Sequence, residues 1–289
     1  MRILPLTMIL SVLSLSFCAQ KEAPTPAPVV VTPTTPTTPT TPTTPTDTAK
    51  KLVWSDEFDK AGLPDTTKWA YNIGTGSNGW GNNESEYYTR ESTNARTENG
   101  SLIIEARKES KGGKNYTSAR LLTQGKASWT FGRIEVRAKL PKGVGSWPAI
   151  WTLGNNFEGP GAVGWPACGE IDIMEHTGKE LGAISFSAHS KLLNWTLGTQ
   201  KTFKTNIDNV VDSFHVYSLD WSKEMLKFYI DGVLYYTVAN DGKGVDSYPF
   251  VAPQFLLLNL AIGGNFAGNT IDDTMFPIRM EVDYVRVYQ

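Results

Sequence analysis

From Lys50 to Gln289 the chain is written as short β-prone segments separated by turn residues, and no stretch sustains a 3.6-residue apolar period. RIEVRAKL (Arg133 to Leu140) alternates apolar and polar residues, the signature of a strand with one buried face. KFYIDGVLYYTV sets Asp231-Gly232 between two β-rich runs, a strong short-range hairpin signal. SLIIEARKE, HVYSLDW, FLLLNLAIGG and MEVDYVRVY add further short β-branched or aromatic segments. Such a chain predicts an all-β antiparallel sandwich or barrel, and residues 50–289 are within the size range of one domain. No internal repeat or second linker interrupts it. A chain that is 40% hydrophobic can build a substantial core, and with only 2 Cys it must do so without a disulfide framework. A net charge of -2 offers no basic excess for a nucleic-acid partner.

The first 49 residues have a different composition. Arg2 precedes the apolar run ILPLTMILSVLSLSF, too short for a membrane span and suited to a secretory signal over residues 1–20. Leu15-Ser16-Phe17-Cys18 resembles a bacterial lipobox, with Phe17 where a small residue is usual. That resemblance implies lipidation at Cys18 and a secreted or cell-surface, outer-membrane lipoprotein. Residues 21–49 read as a linker: Thr32 to Thr46 repeats Pro every third residue, and in polyproline II geometry it would span roughly 45 Å. It is either a semi-rigid stalk or a disordered spacer.

The chemistry concentrates in GEIDIMEHTG, Gly169 to Gly178, where Glu170, Asp172 and Glu175 are interleaved with Ile171, Ile173 and Met174. Carboxylates crowded on an apolar strand repel one another and lose hydration, which a purely structural strand avoids. In strict alternation Glu175 would point away from Glu170 and Asp172. A β-bulge near Ile173-Met174 returns it to their face. The two glutamates would then lie roughly 13 Å apart at Cα, and long side chains leaning inward could bring their carboxyls to about 5 Å, the gap of a retaining glycosidase. One carboxylate attacks the sugar carbon, the other donates a proton to the leaving oxygen, and Asp172 between them adds a third charge that sets their pKa values.

GEIDIMEH resembles the catalytic signature of glycoside hydrolase family 16, in the bulged form found in laminarinases and related β-1,3-glucanases. LVWSDEF, GWGNNE, NGSLIIEARKE, YTSARL, GRIEVRAKLP, SWPAIWTLG, HVYSLDW, LNLAIGGNF and FPIRMEVDYVRVYQ look like laminarinase segments in the same order. The resemblance implies a concanavalin A-like β-jelly-roll sandwich with a concave substrate cleft. It implies retaining hydrolysis by Glu170 as nucleophile, Asp172 as its assistant and Glu175 as acid/base. It also implies an endo-acting enzyme on β-1,3-glucan or mixed-linkage glucan, working as a monomer with no cofactor for catalysis. Cleavage of agar, carrageenan or another galactan is the second reading, and a non-catalytic β-glucan-binding protein the third.

By the same resemblance, Trp147, Trp151 and Trp165 match positions where rings meet sugar faces, though a Trp in a sandwich is otherwise more often core. Asn82, Glu84, Arg120 and Asn259 match sugar-hydroxyl contacts; as plain residues they are equally turn or strand-edge hydrogen-bonders. His189 falls where the family has a His beside the acid/base, and Phe266 where many relatives carry Trp. A structural calcium is implied at Glu57, the Gly100 carbonyl and Asp283, two carboxylates that could instead pair with Arg or Lys. With 3 His and 2 Cys the chain has no zinc spacing, and Cys168 reads as a buried small apolar residue.

Overall fold

The computed structural model describes residues 50–289; the signal segment, Cys18 and the linker lie outside the described residues. Two sheets face each other, antiparallel except where Glu86–Tyr88 runs parallel to Lys114–Ser118 at one edge of the larger. In the seven-stranded sheet the order is Lys201–Asn206, Ala183–His189, Glu170–His176, Ser146–Gly154, Gln254–Ile262, Arg120–Leu122 and Ala70–Asn72. The larger, ten-stranded sheet is centred on Gly132–Lys139, flanked by His215–Trp221 and Ile278–Tyr288.

The alternation in RIEVRAKL sorts as expected. Ile134, Val136 and Ala138 are buried between the sheets, and Arg133, Glu135 and Arg137 face outward. Outer charges are paired across and along strands, with Arg133 on Glu135 at 2.6 Å and Lys139 on Glu281 at 2.9 Å. The Asp231-Gly232 hairpin forms with both residues at positive φ, 50° and 78°, the backbone a two-residue type I′ turn requires.

Gln254–Ile262 is buried along its whole length. Leu256, Leu258 and Leu260 join the central core against Ile104, Val136 and Leu219 of the other sheet. On the opposite face Phe255 and Leu257 pack with Leu122, Leu153 and Cys168 in a small second core, covered in part by Trp151 and Trp165. Cys168 is fully buried and unpaired, as its sequence position suggested. Close packing here requires Gly154: a Cβ at that position would sit 2.2 Å from the Cys168 carbonyl oxygen. This second core fixes the approach to Glu170 from below.

Candidate active site

The strand Glu170–His176 carries one residue more than its neighbours between Asp172 and Glu175. Against Ser146–Gly154, Asp172 pairs with Trp151 and Met174 with the next residue, Ile150. Against Ala183–His189, Asp172 pairs with Ser187 and Glu175 with Ser185. The bulge lets Ile173 and Met174 both enter the core, each fully buried, and turns Glu175 back to the outer face with Glu170 and Asp172. The predicted bulge is therefore present, and its cause is the pair of consecutive apolar side chains that both need burial.

Sheet register then organises the surface around it. Lys204, Ser185, Glu175, Ala149, Asn259 and Arg120 are successive partners across six neighbouring strands. The small Ala149 separates Glu175 from the polar residues Asn259 and Arg120 in this row.

Indole N–H groups hold the two glutamates. Trp165 donates to Glu170 at 2.9 Å and Trp147 to Glu175 at 3.0 Å. His189, opposite Glu170 in register, brings Nε2 to 3.2 Å from Asp172 and 3.8 Å from Glu170. His189 was expected beside Glu175; the carboxylates within 4 Å of its ring are those of Asp172 and Glu170, and its charge also acts on Glu175. It is also 6% exposed, so it acts on the carboxylates from within the wall. One oxygen or ring nitrogen from each of Glu170, Asp172 and His189 lies within 4.8 Å of the others, so each feels the others' charge strongly.

Burial raises all three carboxyls, Glu170 to about 8, Asp172 to about 7 and Glu175 to about 8. Negative charge on Asp172 adds to the rise at both glutamates. The opposing influences are unequal. Glu170 is drawn down by His189, the Trp165 N–H and Arg120, whereas Glu175 has His189 and the Trp147 N–H and is pushed further up by Glu170. The two glutamates are raised alike, and they differ in what surrounds them: Arg120 favours charge on Glu170, and the negative charge of Glu170 favours the proton on Glu175. Trp165→Phe removes one donor from the Glu170 carboxylate and so raises its pKa. The acid limb of the kcat/KM–pH profile is expected to move to higher pH, with kcat/KM falling about tenfold; an unmoved limb would contradict the role given to this bond.

The other sugar-contact candidates converge on one wall. Trp151 donates to Asn259 at 2.7 Å, and the Arg120 guanidinium lies between the rings of Trp80 and Trp151, 4.9 and 4.7 Å from their centroids. Glu84 accepts from the Tyr88 hydroxyl at 2.9 Å and from the Asn82 amide at 3.4 Å. Phe266, partly exposed, lies 5.4 Å from Trp147 at the Glu175 end of the cleft. Sequence reasoning missed Trp80 and Tyr88, which complete this network, and the buried Glu86, whose carboxylate accepts the Ile262 N–H at 2.6 Å. The aromatic content of GWGNNESEYY was the available signal.

The expected calcium ligands do not form a cage. Glu57 is held bidentate by Arg286 at 3.0 and 2.7 Å, and Asp283 pairs with Arg137 at 2.6 Å. Gly100 occupies the turn before Ser101–Lys111. Two carboxylates neutralised by separate guanidinium groups do not fit a shared cation as placed, because the ion would have to displace both.

Two glutamates and an aspartate on one face of a sheet, each glutamate held by an indole N–H, form a constellation suited to cleaving glycosidic bonds. The chain belongs to Glycosyl hydrolases family 16, which it matches over residues 82–286, and its two-sheet sandwich is the jelly roll of that family's laminarinases. It is 46% identical over 246 residues to a β-glucanase of Rhodothermus marinus, covering 83% of this chain and 85% of the relative. The X-ray structure of the laminarinase from Rhodothermus marinus matches with a TM-score of 0.79 at 46% identity, over 83% of this chain and 97% of that one. A variant of a non-specific endo-β-1,3(4)-glucanase matches equally well, with a TM-score of 0.79 and 46% identity over 85% of this chain and 96% of that one. That enzyme was co-crystallised with 1,3-β-D-cellotriosyl-glucose and presents 1,3-β-D-cellobiosyl-glucose at its active site.

Proposed function

We propose that residues 50–289 are a retaining endo-β-1,3-glucanase acting on laminarin-like glucans and on mixed β-1,3-1,4 chains. The observation that carries this reading is the bulge that sets Glu170, Asp172 and Glu175 on one open face, each glutamate held by an indole N–H. Polar side chains continue along the register on both sides of Glu175, which suits a polysaccharide lying across the strands and cut internally.

In the first step the Glu170 carboxylate attacks the anomeric carbon while the Glu175 carboxyl gives its proton to the departing glycosidic oxygen. A glycosyl ester on Glu170 results. Glu175, now ionised, takes a proton from water as the water oxygen attacks the same carbon, and Glu170 leaves as carboxylate. Asp172 carries the charge that keeps Glu175 protonated before the first step. His189 stands beside both Asp172 and Glu170, at 3.2 and 3.8 Å.

Product analysis of purified residues 50–289 on laminarin, mixed-linkage glucan and agarose tests the reading. Laminarin is expected to give a ladder of oligosaccharides; cleavage of agarose alone would move the enzyme to the galactanases, and binding without cleavage to the lectin-like class.

The leader and the Cys18 motif support attachment to a bacterial membrane through lipid, with the Thr/Pro linker as spacer. Radiolabelled palmitate is expected to enter the full-length chain and not its Cys18→Ala variant; an unlabelled wild-type chain would leave plain secretion.

A further inference from the structure

Trp195 is 43% exposed on the loop that follows Ala183–His189, and the site described above does not use it. Isolated surface tryptophans need no explanation. Trp195 is not isolated, because its ring lies 6.2 Å from that of Trp165, inclined at 41°, and Trp165 is the donor that holds Glu170. Trp165 in turn lies 6.1 Å from the His189 ring. Trp195 therefore extends the aromatic wall on the nucleophile's side outward, toward solvent.

The loop that carries it is built to hold it still. Asn194 is 2% exposed, and its side chain accepts from the Thr196 hydroxyl at 2.6 Å and the Leu197 N–H at 3.3 Å. The same amide donates to the carbonyls of Ser190 and Lys191 at 3.1 and 3.2 Å. Gly198, at φ 66°, closes the turn in the left-handed region. A rigid aromatic side chain with few rotors loses little entropy when a ligand stacks on it. The loop thus spends a buried polar network on presenting a large apolar ring to water, which serves no core.

We infer that Trp195 is a sugar-stacking platform that adds one binding subsite beyond Trp165 for the C–H face of a β-linked glucan. This rests on the glucanase reading and sharpens it. Two ring planes inclined at 41° follow a chain whose successive sugars are rotated against one another, as in a β-1,3-linked glucan. A flat ribbon of β-1,4-linked sugars presents parallel faces and meets only one of the two rings well.

The test compares wild type, Trp195→Ala and Trp195→Phe. KM and kcat are measured on laminarin, mixed-linkage glucan and agarose, and binding of a β-1,3-linked hexasaccharide and trisaccharide is measured in a Glu170→Gln background. Trp195→Ala is expected to weaken hexasaccharide binding about tenfold, with Phe restoring most of it and the trisaccharide much less affected. The kinetic loss is expected to fall on KM rather than kcat, and to be larger on laminarin than on mixed-linkage chains. Hexasaccharide binding unchanged in Trp195→Ala while wild type cleaves laminarin overturns the platform and leaves the glucanase reading standing. Should wild type cleave only agarose, the glucanase reading fails, and the platform is judged by the Ala-to-wild-type KM ratio on agarose: a ratio near one overturns it. A wild type inert on all three overturns both.

Discussion

Glu170→Ala is expected to lower laminarin hydrolysis by about ten-thousand-fold or more, and no improvement in the leaving group will restore it. The Glu170 carboxylate forms the bond to carbon, so a better departing oxygen has nothing to respond to. Glu175→Ala should behave differently. On laminarin the loss is expected to be about a hundred- to ten-thousand-fold, the range for removing a positioned acid/base. On an aryl β-glycoside with an acidic phenol the first step needs no proton, and a burst of phenol equal to the enzyme present should follow. The glycosyl enzyme then waits, because no base activates water. Azide, a nucleophile that needs no deprotonation, is expected to restore turnover in Glu175→Ala and to yield the β-glycosyl azide. A Glu175→Ala enzyme with no burst on the activated substrate, or a Glu170→Ala enzyme with one, would reverse or remove the assigned roles.

Asp172→Asn should separate catalysis from stability. Asp172 is almost fully buried, and burial raises its carboxyl to about 7. Its charge raises Glu170 and Glu175 in turn, so its removal lowers both. Glu175 then loses its proton at lower pH. The basic limb of the activity profile is expected to move toward acid, and activity at pH 8 to fall about a hundredfold or more. Stability moves the other way. The folded pKa lies above that of an unfolded Asp, about 3.9, so between roughly pH 4 and 7 the folded state holds a proton that the unfolded state has released. Wild-type stability therefore falls as pH rises through that window. Asn has no such dependence. The melting temperature of Asp172→Asn should match wild type near pH 4 and exceed it by several degrees at pH 8. A constant difference across pH would mean that Asp172 is already ionised without strain.

Local patterns in the sequence were enough for the strands and for the bulge that gathers Glu170, Asp172 and Glu175 on one face. Two apolar residues in a row between Asp172 and Glu175 force either a bulge or a charge in the core, and the Asp231-Gly232 pair admits few backbones other than a tight hairpin. What sequence could not supply was register. His189 meets Glu170 and Asp172 because of how Ala183–His189 slides against the catalytic strand, a quantity set by the whole sheet. Trp195 was invisible for the same kind of reason, since nothing in KLLNWTLG says that its loop returns to Trp165. The arginine partners of Glu57 and Asp283 were equally out of reach, because Arg286 and Arg137 lie 229 and 146 residues away along the chain.

The strand Gln254–Ile262 is buried on both faces and carries Asn259 in its middle. Its Leu256, Leu258 and Leu260 belong to the central core, and its Phe255 and Leu257 to the second core, against which Trp165 packs. A candidate sugar contact thus sits in one of the most protected strands of the described residues, where amide exchange is expected to require opening of the whole domain. Heat is therefore not expected to produce first a folded but blind enzyme: loss of laminarin binding and melting of the sandwich are expected at the same temperature, and a change that hardens the core should raise both.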